Sequence, residues 1–352
     1  MSRSALRTDR CLDLDILRIL SSFFVVMIHV CTSCWTTIPV DSFGWQCLNL
    51  LNTLARASVP IFVMISGALF LQREQPMRKI LRKNIVRLLV LYGIWALFYA
   101  LDTVGFSALT SFVGWKALAV EFLTAKYHLW FLQSIVAAYV LLPLLWALVR
   151  YADGRYVPYV CAVYLLGSVI STLFRMVPLS SDITGSLTFF LPTVGYFPAL
   201  MLLGYFLFTA PRRRWETPLR LLLLWAALVL LTAAANSLLS LAAGEPNAEL
   251  LRNSSPAVVL CACPLFRCIH LARLPEGLRR RSGLIGRLSA CTTGIYLLHV
   301  FVLEHLRSWC GVRAEAYPVA LSVPLLALLI FLLSIGITAL LRRIPAVGKW
   351  IV

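Results

Sequence analysis

Charged residues are scarce in this chain, and acidic residues are the scarcest. Asp, Glu, Lys and Arg make up 13% of the 352 residues, and only 15 of these are acidic. A soluble domain carries about 25% charged residues. Apolar residues reach 60%, the mean hydropathy is +0.85, and no long polar block interrupts them. A soluble domain of ordinary size is therefore excluded, and we expect one integral membrane domain over 1–352.

The sequence also lacks a cleavable signal peptide, internal repeats and low-complexity segments. The polar lead to about Asp15 is followed by an apolar run long enough to span, with no small-residue cleavage site after it. Ten cysteines are scattered along the chain. "CTSC" (31–34) has metal-like spacing, but no second Cys or His pair completes a site, so no metal is predicted. A disulfide on the outer face among Cys34, Cys47 and Cys310 stays an alternative to free thiols.

Apolar stretches of about 20 residues recur along the whole chain, each long enough to cross a bilayer core of about 30 Å. The fold class predicted is all-α, an integral membrane protein with about ten transmembrane helices. The spans fall at approximately 15–35, 47–71, 86–106, 128–149, 156–176, 188–209, 219–241, 254–272, 288–308 and 319–341. The fifth and eighth carry the weakest signals because they contain Gly167 and Arg175, and Pro264, Arg267 and His270, respectively.

The net charge of +17 comes from short basic clusters between the spans rather than from one basic surface. A nucleic-acid partner is therefore excluded. With the N-terminus inside the cell, most of the 32 basic residues fall in inner segments. The outer loops then keep clear basic residues only at Lys116, Lys126, Arg252 and Arg313. This asymmetry predicts that both termini are cytoplasmic.

Two ionisable residues stand out in the first span, "LDLDILRILSSFFVVMIHV" (12–30). An ionisable group at membrane depth costs at least about 2.5 kcal/mol, which makes each one a candidate for function. Arg18 and His29 lie eleven positions apart. On a helix they share a face within about 20° and are separated by about 16 Å along the axis. The plainer alternatives are a boundary arginine neutralised by Asp15, and a structural histidine.

Further polar residues recur in the second, fourth and ninth spans. In "ARASVPIFVMISGALFL" (55–71), Pro60 is expected to break the helix near Arg56, and Ser66-Gly67 favours close helix packing. The other candidates lie in "KYHLWFLQSIVAAYVLLPLL" (126–145) and "LSACTTGIYLLHVFVLEHL" (288–306). They are His128, Trp130, Tyr296, His299 and Glu304.

The depths of these residues differ in an informative way. His29, Arg56, His128 and Glu304 fall in the outer half of the predicted bundle, whereas Arg18 and the basic loops fall at the inner face. This arrangement suits a conduit from a cytoplasmic anionic molecule to chemistry near the outside. "RKILRKNIVRLL" (78–89) has basic residues at helical spacing and suits either anionic lipid headgroups or an anionic cofactor.

Four motifs in order resemble the family-three membrane acyltransferases, which O-acylate surface polysaccharides and related glycans. They are the Arg-x10-His of the first span, "RASVPIFVMISGALFL", "YHLWFLQSIVAAYVLLPLL" and "GIYLLHVFVL". Their spacing and the closing "RRIPAVGKW" extend the resemblance over almost the whole chain. Some members carry an additional extracytoplasmic hydrolase-like domain, and this chain is expected to be of the standalone type.

The resemblance implies transfer of an acyl group, usually acetyl, from cytoplasmic acyl-CoA to a hydroxyl of a cell-surface glycan or lipid-linked precursor. It implies acetyl-CoA as donor substrate, the bacterial cytoplasmic membrane as location, and an envelope enzyme as a further partner. His29 matches the general base or transient acyl carrier. Arg18 and Arg56 match arginines that hold donor phosphate or developing charge. Donor or substrate contacts are expected from Arg56, Ser66, His128, Trp130, Tyr296, His299 and Glu304.

Two other functions compete with acyl transfer. Buried charges and a broken helix also mark the substrate path of a transporter or flippase, although no repeated halves are visible. A membrane sensor or anchoring module without chemistry is the second rival. The acceptor, the length of the acyl group and the oligomeric state are left open by the sequence.

Overall fold

The computed structural model describes residues 11–176, 196–344 and 348, and over these residues the chain is helical with no strand. Short helical turns accompany thirteen longer helices. In chain order, α1 to α13 are Leu12–Ser33, Phe43–Ala55, Ser58–Phe70, Val86–Val104, Phe112–Thr124, Trp130–Val140, Leu142–Tyr151, Tyr156–Met176, Tyr196–Thr209, Pro218–Ala243, Pro256–Leu271, Ser282–Trp309 and Val319–Leu341. The predicted all-α membrane fold is confirmed.

Eight helical segments of the described chain are long and apolar enough to span a membrane, and a bent pair of segments makes a ninth. The two spans with the weakest sequence signals are both present, as α8 and α11. The sixth predicted span, 188–209, is represented by α9, which has 14 residues. Its beginning, 188–195, lies outside the described residues. The cytoplasmic location of both termini stays a prediction.

Prolines interrupt two of the spans. The second span is divided into α2 and α3, which are separated by Arg56 and Ala57, just before Pro60. In a continuous helix the N–H of residue 60 would donate to the Arg56 carbonyl. Because Pro60 has no N–H, this hydrogen bond cannot form. The fourth span begins with a 3-10 turn at Tyr127–Leu129, and Phe112–Val140 meets α7 at an angle of 47°, close to Pro143.

Helix α5 lies between the third and fourth predicted spans, and the apolar pattern did not predict it. Ser111 caps its first turn by accepting a hydrogen bond from the Gly114 N–H at 3.1 Å. It ends at Ala125, whose φ of +55° is left-handed. With 13 residues the helix is too short to cross a bilayer, which takes about 20. Its apolar surface is exposed at Phe112 and Val113.

Helix α1 occupies the centre of the bundle and packs on α2, α3, α12 and α13. Leu14, Leu17, Val26 and Val30 on this helix are almost completely buried. Helices α1 and α12 run parallel, because Asp15 meets Ser289 near their starts and Arg307 donates to the Ser33 carbonyl near their ends. The functional candidates on these two helices are therefore held side by side.

Helices α3 and α9 cross at a pair of glycines. A Cβ at Gly67 would lie 1.9 Å from the Met201 carbonyl oxygen, and one at Gly204 would lie 2.1 Å from that of Met64. No side chain fits at either position. Gly67 therefore has the close-packing role that the sequence predicted. Its neighbour Ser66 is only half-buried.

A buried ion pair accounts for the arginine in the eighth span. Arg267 is 3% exposed and reaches Glu216 at 3.0 Å. Its guanidinium also donates to the carbonyls of Leu207 at 2.6 Å and Ala210 at 2.9 Å. Burial raises the pKa of Glu216, but hydrogen bonds and positive charge from Arg267 and Arg213 together hold that pKa below its ordinary value. Arg267 therefore links α11 to the end of α9 and to the segment that follows it.

Alanine at either crossing glycine should destabilise the bundle. Gly67→Ala and Gly204→Ala each force backbone apart, and overpacking of this kind costs about 1–3 kcal/mol. The expected result is a lower unfolding temperature in detergent. Gly93→Ala in α4 is the matched control, because nothing lies within 4 Å of its Cβ position. Wild-type stability in the Gly67 and Gly204 variants would contradict this helix crossing.

Candidate active site

A cavity of about 810 Å³ lies between α1, α3, α4, α6, α12 and the end of α13. It holds most of the residues that the sequence singled out as catalytic or substrate-binding. These are Arg18, His29, Arg56, Ser66, His128, Trp130 and Tyr296. Since they come from separate spans, only the tertiary fold brings them together.

The cavity is strongly basic where α1 begins. Arg18, Lys83, Arg87 and Arg342 all line it there, and we call this group the basic end. Lys83 belongs to the π-helical turn Ile80–Ile85 that leads into α4, and Arg342 follows directly after α13. Sequence reasoning had noted the basic cluster before α4 but had not identified Lys83, Arg87 or Arg342 as site residues.

Asp15 is the acidic residue next to the basic end. Its carboxylate is buried, lies 3.9 Å from Arg18, and accepts a hydrogen bond from the Ser289 hydroxyl at 2.5 Å. The side chain of Arg18 remains 35% exposed and lines the cavity. Arg18 therefore does more than neutralise Asp15 at a membrane boundary, because its guanidinium also faces the enclosed space.

His29 lies further along the same wall of the cavity. Its ring is surrounded by other rings, with centroid distances of 4.8 Å to His299, 5.5 Å to Tyr127 and 6.5 Å to His128. No hydrogen bond joins the His29 ring to any other side chain of the described residues. A ring nitrogen of His29 is thus open to a molecule in the cavity.

Arg56 occupies the break between α2 and α3. Its Nε donates to the Asn52 side-chain carbonyl at 3.0 Å. Within the described part of the chain no carboxylate forms an ion pair with it, although a buried cation without a nearby anion is costly. Arg56 lines the main cavity and also a second cavity of about 410 Å³ that includes Tyr196 and Asn253. An anionic group in either cavity could therefore pair with a guanidinium that has no carboxylate partner among the described residues.

Two tyrosine hydroxyls form hydrogen bonds with the backbone at or beside His128 and His299. The Tyr296 hydroxyl donates to the His128 carbonyl. The Tyr99 hydroxyl donates to the Leu297 carbonyl at 2.7 Å and accepts from the Phe301 N–H at 3.2 Å, so it is inserted into the backbone ladder of α12. Tyr99 was missed by sequence reasoning, since a tyrosine in an aromatic-rich span gives no distinguishing signal.

Not every candidate faces the cavity. Glu304 pairs with Lys126 at 2.8 Å, where its side chain is 38% exposed, and does not line the space. His299 lies behind His29 and is completely buried. Ser66 does line the cavity, with its hydroxyl 3.4 Å from that of Tyr139. The binding roles expected of these three residues stay predictions.

Among the described residues, no group of three or more His, Cys, Asp or Glu side chains is arranged to hold a metal ion. The ten cysteines are free thiols. The metal-like spacing of "CTSC" is used for packing, because Cys31 and Cys34 are both buried and the Cys34 thiol approaches the Val30 carbonyl at 3.5 Å.

The arrangement combines a cationic recess with a histidine and an arginine deeper in one enclosed space. It suits chemistry on an anionic substrate whose reactive part lies away from its charges, with histidine as base and arginine as the charge at a developing oxyanion.

The comparisons with known proteins agree with this chemistry. The family model for the family-three acyltransferase domain matches residues 12–343, which is nearly the whole chain. No curated protein and no solved structure matches the chain significantly. The match reaches from the start of α1 to just beyond α13 and so includes every wall of the cavity. The chain belongs to the family-three membrane acyltransferases.

Proposed function

We propose that this acyltransferase moves an acetyl group from cytoplasmic acetyl-CoA to a hydroxyl of a cell-surface glycan or lipid-linked precursor. One observation carries the proposal: a single cavity joins the basic end to His29 and Arg56. The reaction needs an anion site for the donor, a base and a positive charge near the acyl carbonyl. The basic end, His29 and Arg56 all line this space, which supports these three assignments.

The basic end would bind the phosphates of CoA. Four cationic side chains there match a highly anionic nucleotide, and charge-assisted hydrogen bonds to phosphate are the stronger class. His29 lies about 16 Å further along α1 than Arg18. This separation suits a donor whose thioester lies at the end of a long pantetheine arm, so that the acyl group arrives beside His29.

The transfer step can be written with the residues of the cavity. His29 takes the proton of the acceptor hydroxyl, whose oxygen attacks the thioester carbonyl, and Arg56 stabilises the oxyanion. The tetrahedral intermediate collapses by breaking the C–S bond, and the CoA thiolate recovers the proton from His29. In the alternative route a His29 nitrogen attacks the thioester carbonyl, the C–S bond breaks, and the CoA thiolate leaves with the proton of the other ring nitrogen. The acceptor hydroxyl then attacks the acyl group, and its proton returns to the imidazole as the C–N bond breaks.

The second cavity gives the acceptor its own approach. It meets the main cavity at Arg56, Trp130 and Asn253, and Tyr196 and Arg252 complete it. Aromatic faces beside an amide and guanidinium groups suit a sugar or a phosphate-bearing lipid-linked sugar. Acceptor and donor would thus enter from opposite ends and meet at His29, as a multi-pass enzyme of the bacterial cytoplasmic membrane requires.

The proposal is tested with membranes that contain the protein and acetyl-CoA labelled in the acetyl group. Label should appear on glycan or on lipid-linked sugar. Label that stays on the protein when acceptor is absent would identify the acyl-carrier route. Solute uptake without any acetyl transfer would contradict the proposal and favour the transporter.

Replacement of His29 should remove the base without removing the fold. His29→Ala is expected to lower kcat by about 10²–10⁴-fold, the usual contribution of a general base. His305→Asn is the matched control, since His305 pairs with Asp102 at 3.3 Å away from the cavity lining. Acetyl transfer would be measured at equal membrane content. Full activity in His29→Ala would overturn its assignment.

Replacement at the basic end should weaken donor binding. Lys83→Ala and Arg87→Ala are each expected to raise KM for acetyl-CoA about tenfold, since a hydrogen bond to a charged group contributes about 1.5–3 kcal/mol. Arg18→Ala should abolish acetylation. Arg82→Ala is the control, because this exposed neighbour does not line the cavity. An equal effect on KM from Arg82→Ala would show general surface attraction instead of a site.

A further inference from the structure

His299, expected from the sequence to contact donor or substrate, lies against the proposed catalytic histidine instead. It is carried by α12, is completely buried, and does not line the cavity. Its ring centroid is 4.8 Å from that of His29 and 5.4 Å from that of His128. The nearer neighbour is therefore His29, the ring that meets the cavity.

The protonation of His299 is fixed by its own helix. Its Nδ1 lies 3.1 Å from the Ile295 carbonyl oxygen, one turn earlier on α12. A carbonyl can only accept a hydrogen bond, so Nδ1 carries the proton. In the neutral ring the other nitrogen, Nε2, then has a lone pair and acts as an acceptor.

The Nε2 atom of His299 makes no hydrogen bond with the described residues. It is also fully buried. A buried acceptor left without a partner is destabilising, so its presence in a folded protein calls for an explanation such as a catalytic role. The adjacent imidazole of His29 is a donor of suitable chemistry, and hydrogen bonds in catalytic sites often tighten only when substrate binds.

We propose that His299 is the positioning residue of the acyl transfer, with Nε2 accepting the ring N–H of His29. This bond would leave the other nitrogen of His29 free to take the acceptor proton, and it would stabilise the imidazolium that forms. The role parallels that of a carboxylate behind a catalytic histidine, but here the partner is a neutral ring. The inference rests on the proposed function.

Two amide substitutions separate positioning from packing. His299→Gln can place its side-chain oxygen near the position of Nε2, whereas His299→Asn places its amide near Nδ1 and leaves nothing for His29. We expect His299→Asn to lower kcat for acetyl transfer at least tenfold with KM for acetyl-CoA within twofold of wild type. His299→Gln should recover most of kcat.

Three outcomes would overturn the inference. They are wild-type kcat in His299→Asn, equal loss of kcat in the Asn and Gln variants, and a change confined to KM. His299→Phe, which keeps an aromatic ring, though a larger one, without an acceptor, should behave like the Asn variant. Failure of the proposed function is recognised separately, because wild-type membranes would then transfer no acetyl group at all.

Discussion

A cation inside a membrane is costly, and the helices of this protein are arranged so that the cations they carry face an enclosed space. Arg18, His29 and Arg56 belong to spans that are otherwise apolar, and none of them could face lipid without a penalty of a few kcal/mol. The fold meets this constraint by surrounding a cavity of about 810 Å³ with the helices that carry them. The central position of α1 follows from the same requirement, since its polar face must be enclosed.

Interrupted helices shape that cavity. The break at Arg56–Ala57 turns a guanidinium into the cavity, and the 3-10 turn at Tyr127–Leu129 brings His128 beside His29. Continuous helices would present these side chains at regular intervals along one face and would leave less room between them. At the glycine crossing, by contrast, the backbones of α3 and α9 pack directly against each other.

Much of this architecture could be predicted from the sequence because hydropathy and local helical geometry are short-range. The spans, the common face of Arg18 and His29, and the break before Pro60 all depend on nearby residues. The tertiary neighbours could not be predicted in that way. Lys83 and Arg342 lie far apart in sequence yet line the same recess, and Tyr99 acts on α12 through a contact 198 positions away. Helix α5 was missed because its 13 residues fall below the length of a span and include Lys116 and Glu121.

We propose that one cavity connects a donor on the cytoplasmic side with an acceptor on the other side of the membrane. Sealed inside-out vesicles test it most directly, with labelled acetyl-CoA supplied only to the exposed cytoplasmic face. We expect label to accumulate on glycan or lipid-linked sugar inside the vesicles, and His29→Ala to slow this accumulation by about 10²–10⁴-fold. Label confined to acceptors on the same face as the donor would contradict it.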